Sequence, residues 1–176
     1  FKLVIIGDSA VGKSCLALRA TKGTFESLYT PTVGFEFFTF YLKIDDSNVK
    51  LQIWDTCGQE VYRSLTVSFY RNTSLAFIVY SIDNKNSFNK IESWIKDVQE
   101  IAPPDCVIMI IGNKTDLNHN RVIEFNQLRE LSEKYKTLFS EVSAKIGSNI
   151  ALAFEQLTFK IIEKQKEEEK NKNKYK

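Results

Sequence analysis

Gly7-Asp8-Ser9-Ala10-Val11-Gly12-Lys13-Ser14 fits the pattern G-x-x-x-x-G-K-[ST], a loop that cradles phosphate. Its residue types follow from the chemistry. Gly7 and Gly12 permit backbone angles and close approach that a Cβ would hinder. The backbone of Ser9, Ala10, Val11, Gly12, Lys13, Ser14 and Cys15 would form a nest of N–H groups at a positive helix end. Lys13 would reach the β- and γ-phosphates, and the Ser14 hydroxyl would bind Mg²⁺. The loop specifies a nucleoside triphosphate. The base and the reaction must come from elsewhere.

Asp55-Thr56-Cys57-Gly58-Gln59-Glu60 follows an apolar run ending at Trp54. An acid at a strand end can hold Mg²⁺ through water, which gives Asp55 a place opposite Ser14. Gly58 can bring its N–H against a γ-phosphate, and Gln59 can orient an attacking water. Asn113-Lys114-Thr115-Asp116 follows a second apolar run. A carboxylate at Asp116 accepts from both N1–H and N2–H₂ of guanine. Adenine offers neither donor there and would leave a buried charge unpaired, a mismatch worth on the order of 10⁴ to 10⁵ in discrimination. Ser143-Ala144-Lys145 can supply a backbone N–H for guanine O6. Thr32, in the stretch from Phe25 to Thr32, can give Mg²⁺ a second hydroxyl while a γ-phosphate is present. Loss of that phosphate would release the loop, making an order–disorder switch.

These stretches must sit at the ends of strands. Leu3–Ile6, Leu75–Tyr80 and Val107–Ile111 are nearly continuous apolar runs, as in strands buried on both faces of a parallel sheet. Phe88, Ile91, Trp94, Ile95, Val98 and Ile101 recur at helical spacing and predict one helix stopped by Pro103 and Pro104. Leu128, Leu131 and Tyr135 predict another, and Ile150, Phe154, Leu157 and Ile161 a last one. Alternating strands and helices make the class α/β with right-handed crossovers. Phe35–Ile44 and Val49–Trp54 instead alternate around Asp45-Asp46-Ser47-Asn48, a hairpin that adds an antiparallel edge. Phe38, Phe40, Leu42 and Ile44 would face the core with Val49, Leu51 and Ile53, while Phe37 and Trp54 point the other way. Leu138–Val142 would complete a six-stranded sheet.

The 176 residues suit one domain over residues 1–163, followed by a charged helix end and solvated tail over 164–176. Phe1 lies directly inside the first strand, as in a trimmed chain. A net charge of +2 is too small to argue for nucleic acid. Three cysteines, Cys15, Cys57 and Cys106, have no ligand spacing and suggest reduced thiols in a cytosolic compartment. No apolar run has the length of a membrane span, and no signal peptide is visible. His119, the single histidine, lies in a polar stretch and suggests no histidine catalysis.

The five stretches, in this order from Gly7 to Lys145, resemble the guanine-nucleotide signature of the Ras superfamily of small GTPases. The resemblance implies a P-loop GTPase fold: a six-stranded, mostly parallel sheet with one antiparallel edge strand, flanked by about five helices. It implies bound GDP or GTP with Mg²⁺, and switches around Thr32 and Gln59. It also implies that Phe25 packs on the guanine and Lys114 lies along it, with Asn113, Asp116, Ser143, Ala144 and Lys145 completing the base site. Val33-Gly34-Phe35-Glu36-Phe37, Lys50 to Thr56, Tyr62 to Thr66 and Phe69-Tyr70-Arg71 resemble the Rab branch, which regulates vesicle traffic. Switch II and Gly112 to Leu117 lean towards its Golgi members. Phe37, Trp54 and Phe69 would make an exposed aromatic patch for effectors. The branch implies an exchange factor, an activating protein, effectors and a dissociation-inhibitor or escort protein, acting on a monomer. It also implies a prenylated C-terminus on the cytosolic face of an endomembrane; the prenylated cysteines are absent from this chain.

No arginine has an evident place on the γ-phosphate, Arg19 lying in the first helix and Arg63 beyond Gln59. Turnover without a partner should be slow, on the order of 10⁻⁴ s⁻¹ as for the related Ras. Cys57 stands where the family has alanine, and Val61-Tyr62 replaces an arginine–phenylalanine pair. A nucleotide-binding scaffold that no longer hydrolyses is the alternative, with Cys57 distorting the Gln59 turn. A kinase on the same loop is a further rival, opposed by Lys114, Asp116 and Ser143.

Overall fold

The computed structural model describes residues 1–27, 32–57 and 68–174. Its centre is β1 (Lys2–Gly7), whose residues from Leu3 to Gly7 are all buried. On one side β1 pairs in parallel with β3 (Ser47–Thr56), which pairs antiparallel with β2 (Phe35–Ile44). On the other side follow β4 (Leu75–Ser81), β5 (Val107–Asn113) and β6 (Leu138–Glu141), all parallel. The sheet order is β2-β3-β1-β4-β5-β6. Every residue of β4 and β5 is buried, as their unbroken apolar runs require.

Two apolar layers clothe the sheet. Leu3, Ile5, Leu51, Ile53, Phe77 and Met109 pack with Leu16 of α1 (Lys13–Lys22) and Phe154, Leu157 and Ile161 of α5 (Ile150–Lys174). Phe38, Phe40 and Leu42 join this layer, so the hairpin buries the predicted face. Val4, Ile6, Ile78, Tyr80 and Ile110 pack with Trp94, Ile95 and Val98 of α3 (Ile91–Ile101) and Leu128 of α4 (Phe125–Tyr135).

Three predicted boundaries shift. The hairpin turn is only Asp45-Asp46, because Ser47 and Asn48 already pair with Ile44 and Lys43. Asp45 takes φ 52°, a left-handed angle that a short polar side chain tolerates. The helix expected from Phe88 to Ile101 is two: α2 (Lys85–Asn89), capped by the Asn84 side chain on Ser87 N, then α3 after Lys90. α3 ends before Pro103, as predicted. α5 continues to Lys174, because its Lys- and Glu-rich end is made of good helix formers. Among the described residues no helix is long and apolar enough to cross a membrane.

The sheet's geometry places the loops after β1, β3, β5 and β6 along one edge. A parallel sheet collects the carboxyl ends of its strands in this way.

Candidate functional site

The loop from β1 to α1 keeps its shape for steric reasons. Gly7 has φ +139°, and a Cβ there would lie 2.2 Å from the Val79 carbonyl oxygen. Gly12 has φ +96°, and its Cβ would lie 2.4 Å from Asn113 Nδ2. Lys13 Nζ donates to the carbonyls of Gly7 (3.0 Å) and Asp8 (2.7 Å), so the loop closes around its own ammonium. Burial lowers the Lys13 pKa to about 8 against the pull of Asp55 and Asp8. Burial likewise raises Asp55 to about 6, although the Ser14 hydrogen bond and Lys13 oppose it. Each charge is therefore under-compensated by the protein alone.

Ser14 Oγ lies 2.5 Å from Asp55 Oδ2 and 2.7 Å from Thr32 Oγ1. Phosphate loop, β3 end and the segment before β2 thus meet at one point. Asp55 is fully buried, and its Oδ1 has no hydrogen-bond partner among the described residues. Two hydroxyls and an unspent carboxylate oxygen form an all-oxygen donor set, which suits a hard divalent cation beside phosphate. Gly58 and Gln59 lie outside the described residues.

The base-reading stretches come together at the other end of the loop. Asn113 is 1% exposed. Its Nδ2 donates to Val11 O (2.9 Å), and its Oδ1 accepts from Ala144 N (3.2 Å). It thus straps the phosphate loop to the loop after β6. Lys114, at φ 69°, donates from Nζ to Ala10 O at 2.7 Å. Ser143 Oγ donates to Asp116 Oδ1 at 2.5 Å, which orients the carboxylate and leaves its second oxygen open to a ligand. A cavity of about 330 Å³ is lined by Phe25, Cys15, Lys114, Asp116, Ala144 and Lys145. Its lining joins an aromatic ring, a carboxylate and backbone amides, the groups that grip and read a purine.

Residues 2–163 match the family model described as Ras family. The chain belongs to the Ras family. It is 43% identical over 155 residues to the Ras-related protein Rab-26 of Rattus norvegicus, covering 88% of this chain and 60% of that protein. It is 40% identical over 169 residues to the Ras-related protein Rab-17 of Homo sapiens, covering 96% and 79%. Rab-26 of Mus musculus is again 43% identical over 155 residues. The chain thus spans about 60% of the length of its Rab-26 relatives. These relatives support the Rab branch, and guanine-nucleotide binding follows from the family.

Two features escape the sequence reading. The aromatic cluster of Phe37, Trp54 and Phe69 also includes Phe35, whose ring lies 5.1 Å from Trp54 and 4.9 Å from Phe69. Phe37 meets the same Trp54 ring edge-on at 5.1 Å, and Phe69 meets it tilted at 5.4 Å. Phe35 and Phe37 are each 47% exposed, whereas Trp54 and Phe69 are half-buried beneath them. Phe35 shares the parity of Phe37 along β2, and that alternation was the available signal. The second feature is Arg19, whose guanidinium donates to the carbonyls of Ala144, Gly23 and Lys145. A lone helix arginine carries no sequence signal for such a role.

Proposed function

We propose that this Rab-branch chain is a GDP/GTP switch that hydrolyses GTP slowly and regulates membrane traffic through partners bound at its switch segments. The observation that carries the reading is the oriented Asp116 carboxylate, tied through Ser143, Ala144 and Asn113 to the phosphate loop. It joins base selection and phosphate binding in one scaffold.

In this reading the N–H groups from Ser9 to Cys15 bind the phosphates, and Lys13 exchanges its loop carbonyls for phosphate oxygens. That exchange relieves the cost of burying its charge. Ser14 and Thr32 would hold Mg²⁺, with Asp55 behind them through water; the ion would neutralise charge gathering on the phosphates. Thr32 is the gate. Its hydroxyl lies 2.7 Å from the Ser14 oxygen, where a γ-phosphate-bound Mg²⁺ would hold it. Gln59 would orient the attacking water, with the Gly58 N–H against the γ-phosphate. Arg19 is spent on carbonyls far from that centre, so an activating protein would supply positive charge in trans.

Phe35 and Phe37, exposed on a Trp54–Phe69 base, would receive effectors. An exchange factor would open the Thr32 segment. A dissociation inhibitor or escort protein would handle a lipid-anchored monomer at the cytosolic face of an endomembrane.

The test is to denature the purified protein, identify the released nucleotide, and follow hydrolysis of loaded GTP. GDP on release and turnover on the order of 10⁻⁴ s⁻¹ are expected. Bound GTP that never decays would refute the hydrolytic part. Absence of any nucleotide, with no uptake of added GDP, would refute the whole.

A further inference from the structure

Arg19 lies on α1, in the turn that ends the phosphate-binding helix, yet two of its hydrogen bonds cross to the loop after β6. Nε donates to Ala144 O at 2.8 Å and Nη2 to Lys145 O at 2.6 Å. Nη1 donates to Gly23 O at 2.8 Å, while Gly23 N caps the helix on Arg19 O at 3.1 Å, so the guanidinium is anchored at its own helix end. A Cβ added at Gly147 would lie 3.8 Å from Arg19 Cδ.

Peptide planarity turns these contacts into a direction. No peptide bond in the described chain is cis, so in each unit the N–H points opposite to the carbonyl. Arg19 pulls the Lys145 carbonyl towards α1, and the N–H of that same unit, on Ile146, points the other way. It donates to Ser143 Oγ at 3.3 Å, the hydroxyl that orients Asp116. The preceding unit is held alike. Its carbonyl, on Ala144, faces Nε, so its N–H, on Lys145, points away from α1. Ala144 and Lys145 line the cavity. Ala144 N is already spent on Asn113 Oδ1. Among the described residues nothing accepts from Lys145 N, so this exposed backbone donor at the cavity wall is open to a ligand.

We infer that Arg19 is a positioning residue for base specificity: its guanidinium fork fixes two successive peptide units so that the Lys145 N–H presents to the 6-oxygen of the purine. The inference rests on the reading of this cavity as the guanine site. The planar fork matters, because it grips two carbonyls at fixed spacing and polarises both peptide units, a geometry that an ammonium cannot copy.

A merely structural arginine would weaken every nucleotide alike; a positioning one acts only on bases that carry a 6-oxygen. The experiment compares the affinity of wild type and Arg19→Gln for GDP, for IDP, and for the diphosphate of 2-aminopurine riboside. IDP keeps the 6-oxygen and N1–H and lacks the 2-amino group, whereas 2-aminopurine keeps the amino group and lacks both the oxygen and the N1–H, so each nucleotide is compared with itself across the two proteins. Arg19→Gln should weaken GDP and IDP by about tenfold each and the 2-aminopurine nucleotide by less than about threefold. An equal loss for all three, or no loss for any, overturns the inference. Should Arg19→Gln not fold, the same ratio measured in Arg19→Lys decides, with a smaller but equally base-selective loss expected. A wild type that binds ADP as well as GDP would instead refute the reading of the cavity itself, and the inference with it.

Discussion

Removing the strap between the two loops should damage folding and binding together. In Asn113→Ala the backbone is free to stay as it is, and Ile82 N keeps its bond to the residue-113 carbonyl. What is lost is the side-chain amide. Val11 O loses its donor and Ala144 N its acceptor. Both residues are buried, Val11 at 1% and Ala144 at 2% exposure, so water cannot readily replace the amide. Each orphaned buried group costs about 1 to 3 kcal/mol, giving roughly 2 to 6 kcal/mol and a central value of about 3 to 4. Part of that returns as relaxation of the phosphate loop, which is paid again when nucleotide orders it. Urea unfolding of the nucleotide-free protein should show the lost stability. Release of GDP, followed with a fluorescent analogue, should accelerate by about a hundredfold, the equivalent of about 3 kcal/mol. A stability loss under about 1 kcal/mol with unchanged GDP release would refute the reasoning, for the amide would then be dispensable to both loops.

Gly7→Ala should cost more than about 3 kcal/mol and abolish nucleotide uptake, because its Cβ meets the Val79 backbone rather than a mobile side chain; thermal melting and GDP uptake check this. Burial pushes the Cys106 thiol up to about 12. Its alkylation by iodoacetamide at pH 8, followed by peptide mass mapping, should be about 10³-fold slower than that of an ordinary exposed thiol, and the rate should climb through pH 10. Phe37→Ala should weaken effector capture by at least about tenfold while shifting the melting temperature by only a few degrees, since the ring is half exposed and its removal opens no core cavity.

Much of the fold could be read from the sequence, for a physical reason. β1, β4 and β5 are buried on both faces, so each shows an unbroken apolar run, and β2 alternates because only one face meets the core. The break at Lys90 could not be read, because the apolar spacing continues across it and only the Asn84 cap sets a separate first turn. A charged helix end was expected there, but not its run to Lys174, since a charged stretch does not reveal where helix gives way to coil. In the site, Lys13, Ser14, Asp55 and Asp116 were legible because their chemistry lies in motifs adjacent in sequence. Arg19 and the strapping role of Asn113 were not. Their partners are 125 and 102 positions away, and the contacts exist only once α1 and the loop after β6 stand side by side.

The central claim, that Asp116 and its neighbours select guanine for a phosphate loop that would otherwise take any nucleotide, is tested most directly by competition. Protein stripped of nucleotide is loaded with a fluorescent GDP analogue and titrated with unlabelled GDP and ADP at fixed Mg²⁺. GDP should win by on the order of 10⁴ or more, because adenine leaves the Asp116 carboxylate unpaired. Equal displacement by GDP and ADP would contradict the account, leaving a phosphate site with no base reader.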